Sequence, residues 1–135
     1  MVITARQRET RRVDILQMSF LRVMGMVFIF FSIHYWMRLT GVYPGAEFRF
    51  DTMSEHWRLA ASELAVWLPA TALGLWGGYR WGVVLWLAAA IMELTMHVAM
   101  TGQFGRSDMR VAFHLIGLLA VAGFWLSKFI VANKK

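Results

Sequence analysis

The sequence predicts an all-α integral membrane protein, a four-helix bundle that runs up-down-up-down with both termini in the cytoplasm. Of its 135 residues, 59% are hydrophobic and 16% are charged, whereas soluble domains are about 45–50% apolar and about 25% charged. Four apolar stretches are each long enough to cross the hydrocarbon layer, which takes about 20 helical residues. Short polar or glycine-containing segments separate them. We therefore expect a single four-span domain over residues 1–135.

The boundaries of the spans follow from breaks in the apolar pattern. Thr52-Met53-Ser54-Glu55 matches a capping box, in which a hydroxyl and a carboxylate satisfy free backbone N–H groups, so span two should begin just after Thr52. Gly77-Gly78 predicts a tight turn between spans two and three. The predicted segments are a basic tail at 1–14 and spans at about 16–39, 53–78, 81–101 and 109–130.

Composition excludes several classes of function. Cysteine is absent, which excludes disulfides, thiol catalysis, cysteine-ligated zinc and iron–sulfur clusters. The net charge of +6 comes from basic residues at chain ends and helix ends, which favours anionic lipid headgroups over nucleic acid as partners. The chain also contains no nucleotide-binding loop and no nucleophile elbow.

The distribution of basic residues predicts the orientation in a bacterial inner membrane, because cytoplasmic segments carry an excess of Lys and Arg. With the N-terminus inside, nine basic residues fall on the cytoplasmic side and five on the other. The nine are Arg6, Arg8, Arg11, Arg12, Arg22, Arg80, Lys128, Lys134 and Lys135. The five are Arg38, Arg49, Arg58, Arg106 and Arg110.

Ionisable residues inside the spans are the candidate functional residues, because such groups are costly in lipid and need a partner. Glu93 and His97 are four residues apart, which places them on one face of a helix. Small residues of span two predict a packing face that includes Glu63. Counted from the span boundaries, all the candidates lie in the outer half of the membrane, and every span contributes. This predicted polar cluster consists of His34, Glu63, Glu93, His97 and His114, with Arg38, Arg58 and Arg110 as supporting charges.

Four hypotheses account for this cluster. The groups could pair with one another and fix the register of the helices. Three imidazoles and two carboxylates could hold zinc, iron or manganese. Two histidines could ligate haem, or one could bind a quinone. A buried carboxylate near a histidine could relay protons in a transporter. The residues alone assign no metal, cofactor or catalytic group.

Two family resemblances extend this reading. The segments YWMRLTGVYPG, FRFDTMSEHWRLAASELAVWLPATALGLW and WGVVLWLAAAIMELTMH resemble a small uncharacterised family of four-span bacterial inner-membrane proteins with a domain of unknown function. A looser resemblance is to DoxX-like proteins. It rests on Arg22 with Gly25, on Glu63, and on Gly77-Gly78 with Arg80. That resemblance implies a subunit of a thiosulfate–quinone oxidoreductase or a partner of an oxidative-stress enzyme.

We therefore expect an accessory, assembly or scaffold subunit that docks other membrane proteins or a second copy of itself, and we do not expect an enzyme. The alternatives are a metal-, haem- or quinone-binding redox protein that uses the outer-leaflet cluster, or a small proton-coupled transporter.

Overall fold

The computed structural model describes residues 4–42, 45 and 48–133, and it contains four helices long and apolar enough to cross a membrane. No strand occurs among those residues, so the predicted all-α fold is confirmed. Residues 1–3, Lys134 and Lys135, which the sequence assigns to the two tails, lie outside the described residues. The helices are α1 (Ala5–Leu39), α2 (Glu55–Trp76), α3 (Arg80–Leu94), the short α4 (Thr101–Phe104) and α5 (Asp108–Asn133), and a π-helical turn (Thr95–Ala99) continues α3.

Helix α1 takes in most of the predicted basic tail. Thr4 caps it: its hydroxyl accepts from the Gln7 N–H, and the Gln7 side chain accepts from the Thr4 N–H at 2.9 Å. This reciprocal arrangement is a capping box that the sequence reading missed. With 35 residues, α1 is about 50 Å long, which exceeds the roughly 30 Å of the hydrocarbon layer. The tail therefore continues the span as a helix beyond it.

Helix α2 begins later than the sequence predicts, and its packing face does not include Glu63. Ser54 is its N-cap and makes no side-chain cap bond, so the predicted capping box at Thr52 is wrong. Leu64 and Leu68 are fully buried, whereas Glu63 is exposed. The prediction that Glu63 lies on the packing face is wrong. The two leucines fill the space between the helices, so the buried face of α2 is centred on them and the Glu63 side chain lies outside it.

The α2–α3 hairpin closes through the predicted glycine turn. Gly78 has a φ of +70°, a conformation that glycine adopts without strain, and the Tyr79 N–H donates to the Gly74 carbonyl at 2.9 Å. A Cβ on Gly82 would lie 2.4 Å from the Gly74 carbonyl carbon. The backbones of α2 and α3 are therefore in direct contact.

Helix α5 runs antiparallel to α1, and their free ends meet. The Arg6 guanidinium donates to the Val131 carbonyl at 3.1 Å and also to the Ala132 carbonyl. These are carbonyls of the last helical turn, which lack partners within their own helix. Lys128 pairs with Asp14 at 2.7 Å. The first and last helices are thus joined at the end of the bundle that carries both termini.

Candidate functional site

Glu93 on α3, the most deeply buried carboxylate among the described residues, is the centre of a polar cluster between three helices. It is 1% exposed. The Tyr35 hydroxyl donates to Glu93 Oε1 at 2.8 Å, and His114 Nε2 lies 2.6 Å from Glu93 Oε2. Arg110 also donates to Oε1. We call Tyr35, Trp86, Glu93, Arg110 and His114 the Glu93 cluster.

Trp86 fixes the protonation of His114. The Trp86 Nε1–H points at His114 Nδ1 at 3.2 Å. An indole N–H can only donate, so Nδ1 must be the unprotonated nitrogen. The imidazole is therefore neutral, with its proton on Nε2, and that N–H donates to Glu93. It follows that Arg110, and not His114, supplies the positive charge opposite the Glu93 carboxylate.

Arg110 is held on several sides. Its side chain is 13% exposed, and it donates to the Tyr35 hydroxyl oxygen at 2.9 Å as well as to Glu93. Its guanidinium carbon lies 5.1 Å from the ring centroids of both Phe31 and Tyr35. Such cation–π contacts stabilise a charge that has little access to water.

Aromatic rings surround the cluster. Phe28 and Phe113 lie 6.1 Å and 5.2 Å, centroid to centroid, from the His114 ring. The cluster therefore sits in apolar surroundings, where hydrogen bonds and ion pairs are stronger than in water. Because α1 supplies Tyr35, α3 supplies Glu93 and Trp86, and α5 supplies Arg110 and His114, the hydrogen bonds of the cluster link these three helices.

The structure brings only some of the predicted residues together. Glu93, His114 and the supporting charge Arg110 are in contact. His34 is half-buried on α1, and Glu63 is exposed on α2. The prediction that all four spans contribute is wrong for α2, which supplies no member of the Glu93 cluster.

His97 is buried but has a different environment from Glu93. It is 5% exposed, and its Nδ1 lies 2.9 Å from the Gly105 carbonyl oxygen. A carbonyl only accepts, so Nδ1 carries the proton, and Nε2 is buried without a partner among the described residues. His97 lies in the π-helical turn that begins at Thr95, and its hydrogen bond ties it to Gly105, in the segment between α4 and α5, and not to a member of the Glu93 cluster.

The other two supporting charges serve the connection between α1 and α2. The Arg38 guanidinium carbon lies 4.6 Å from the Trp57 ring and 5.1 Å from the Phe48 ring. Arg58 Nε donates to the Met53 carbonyl at 3.2 Å. Both residues thus hold the segment that leads into α2.

A metal site finds no donor set in the described part of the chain, where no three His, Cys, Asp or Glu residues are grouped around a common point. Both Glu93 oxygens are already acceptors for neighbouring side chains. Haem binding, quinone binding and proton transport stay predictions.

Tyr35 and Trp86 are the cluster members that the sequence reading missed. Both lie within apolar spans and are fully or almost fully buried, at 1% and 0% exposure. Buried Tyr hydroxyls and Trp N–H groups usually need a hydrogen-bond partner. This need for a partner within an apolar span was the signal that could have identified them.

The comparisons with known proteins identify a family. The model of DUF6163, a family of unknown function, matches residues 15–132. The chain therefore belongs to this family, and the predicted membership of an uncharacterised membrane family is confirmed. No curated protein and no solved structure matches the chain. The resemblance to DoxX-like proteins stays a prediction.

Proposed function

We propose that this DUF6163 protein is an accessory or assembly subunit of a larger membrane complex, and that the outer face of α5 docks on a helix of another membrane protein. The observation that carries the proposal is the contrast between two glycines of α5. A Cβ on Gly117 would lie 2.4 Å from the Trp86 ring, whereas a Cβ on Gly123 would meet nothing within 4 Å. Packing within the chain therefore explains why residue 117 is a glycine, but it does not explain why residue 123 is one.

An exposed glycine on a membrane helix is a place where a second helix can approach closely. Association in lipid depends on such close packing, because lipid tails are as apolar as the helices themselves. Around Gly123, α5 exposes Leu119 at 71% and Leu126 at 58%. Of the apolar 18-residue stretch that makes α5 able to span a membrane, only 17% is buried inside the structure, whereas 50% of the corresponding stretch of α2 is buried. Helix α5 therefore has the free surface that a docking helix needs.

The Glu93 cluster supports a structural role for the polar residues. Glu93, Tyr35, Arg110 and His114 all bond within the cluster. A group that is already satisfied and enclosed by aromatic rings has little capacity left for a substrate. We infer that the cluster holds α5 against α1 and α3 and so presents the Gly123 face in a fixed orientation.

We place the protein in the bacterial inner membrane with both termini in the cytoplasm. The asymmetry of basic residues supports this orientation. Arg110 is one of the five basic residues counted on the outer side, but it pairs with Glu93 inside the bundle. The excess of loop charges on the cytoplasmic side is therefore larger than the sequence count.

In-cell photo-crosslinking tests the docking face. A photoreactive residue replaces Leu119 on α5 or, as a matched control, Leu73 on α2, which is 68% exposed. We expect a discrete crosslinked product with another membrane protein from position 119 only, and we expect Gly123→Leu to remove it because a large side chain blocks close approach. Equal products from both positions, or a product that contains only two copies of this chain, would contradict the proposal.

A further inference from the structure

A lateral groove lies between α1, α3 and α5, at the end of the bundle where the first and last helices are joined. Its volume is about 990 Å³, and its walls include Leu21, Leu87 and Leu118. The Glu93 cluster does not line it. The groove is therefore separate from the candidate site described above.

The groove has the length of one lipid leaflet. Along α5 it reaches from Lys128 to Leu118, about 15 Å at the rise of an α-helix. Half of the roughly 30 Å hydrocarbon layer is the same distance. An acyl chain that enters between the helices can thus lie along the whole apolar wall.

The mouth of the groove is polar. Arg80 and Lys128 line it, together with Asp14, which pairs with Lys128 at 2.7 Å. One acidic and two basic side chains leave a net positive charge, and Arg80 is exposed. Basic pockets between membrane helices on the cytoplasmic side are suited to the phosphates of anionic lipids.

Gln17 adds a second requirement. It lines the groove and is 9% exposed, and its Oε1 is buried without a hydrogen-bond partner among the described residues. A buried acceptor that lacks a donor is costly. The groove therefore suits a ligand that brings a hydrogen-bond donor, an anionic phosphate and an apolar chain.

We propose that the groove binds one phospholipid with an anionic, hydroxyl-bearing headgroup of the phosphatidylglycerol type. Its phosphate contacts Arg80 and Lys128, a headgroup hydroxyl donates to Gln17 Oε1, and one acyl chain lies along Leu21 and Leu118. This site does not depend on the docking role of α5, because it is formed within one copy of the chain.

Native mass spectrometry of the detergent-purified full chain, titrated with single lipids, tests the site. We expect a single tightly retained phosphatidylglycerol, and much weaker retention of zwitterionic phosphatidylcholine. Arg80→Gln should weaken phosphatidylglycerol retention about fivefold, the effect of one basic residue near a membrane surface. Arg12→Gln, which removes the same charge from an exposed position on α1 that does not line the groove, should leave retention unchanged.

A variant of Gln17 distinguishes recognition of the lipid headgroup from attraction of its charge. Phosphatidic acid has the phosphate but lacks the headgroup glycerol, so the natural protein should prefer phosphatidylglycerol, and Gln17→Leu should remove that preference while both lipids still bind. Equal retention of phosphatidylglycerol and phosphatidylcholine by the natural protein would overturn the proposal, even if no variant folds. Equal losses in Arg80→Gln and Arg12→Gln, or a groove occupied by a quinone or a second copy of the chain, would overturn it too.

Discussion

At the scale of single residues, the charge of the Glu93 cluster resides on one pair. The Trp86 N–H keeps His114 neutral, so the Glu93 carboxylate faces one cation, Arg110. Removing one partner of a buried ion pair is more costly than replacing both, because the remaining charge stays in apolar surroundings. Replacing the Glu93 carboxylate by an amide should therefore be enough to lower the stability of the protein.

We predict that Glu93→Gln destabilises the protein by about 3 kcal/mol, at the low end for a broken buried pair. The amide leaves Arg110 without its counter-charge, and its NH2 group can face the His114 N–H donor. Glu63→Gln is the matched control, because Glu63 is exposed on α2. Unfolding of the purified protein in lipid nanodiscs, followed by circular dichroism, measures both variants. Similar losses in the two variants would show that the Glu93 cluster does not hold the helices together.

The sequence predicted only part of the membership of this cluster. Glu93, His114 and Arg110 were candidates because ionisable groups in a span need partners. Glu63 was misplaced because its burial depends on whether the neighbouring leucines or the small residues of α2 fill the interface, which a single sequence does not determine. His97 bonds to the Gly105 carbonyl and not to a cluster member, which depends on how the segment between α3 and α5 folds and has no clear sequence signal.

At the scale of helices, the sequence predicted the number of spans and the turn at Gly77-Gly78 but not every boundary. The first turns of α1 are polar and basic, which predicted a tail or a short surface helix, yet the Thr4 capping box begins a single helix that runs through them into the span. The start of α2 was misplaced because the Thr52 capping pattern is not used. The apolar pattern of the sequence could not show how closely the backbones of α2 and α3 approach each other.

We predict that Gly82→Ala destabilises the α2–α3 hairpin by about 2 kcal/mol, within the usual range for overpacking. The new Cβ would lie 2.4 Å from the Gly74 carbonyl carbon, so one backbone must move. Gly123→Ala is the control, since its Cβ would meet no atom within 4 Å and alanine favours a helix. Thermal unfolding of the isolated protein compares them. An unchanged melting temperature in Gly82→Ala would mean that the two helices lie further apart than described.

At the scale of the whole molecule, the bonds from Arg6 to Val131 and from Lys128 to Asp14 place the two termini at one end of the bundle. The short turn at Gly77-Gly78 lies at the same end. Gly78 and Arg80, the first residue of α3, line the lateral groove there together with Asp14 and Lys128. The opposite end carries α4 and the loop before α5. The connection from α1 to α2 lies at that opposite end as well, so one orientation of the bundle accounts for both termini and all three connections between the spans.

We predict that the end with the termini faces the cytoplasm, because it carries most of the basic residues and because Arg110, counted on the other side, is paired inside the bundle. The chain has no cysteine, so single cysteines can be introduced without background. In intact cells a membrane-impermeant maleimide should label Gly102→Cys, whose position is exposed with open space around it. Tyr79→Cys, at a position that is 58% exposed in the opposite turn, should react only after permeabilisation. The reverse pattern would invert the orientation and place the lateral groove in the outer leaflet.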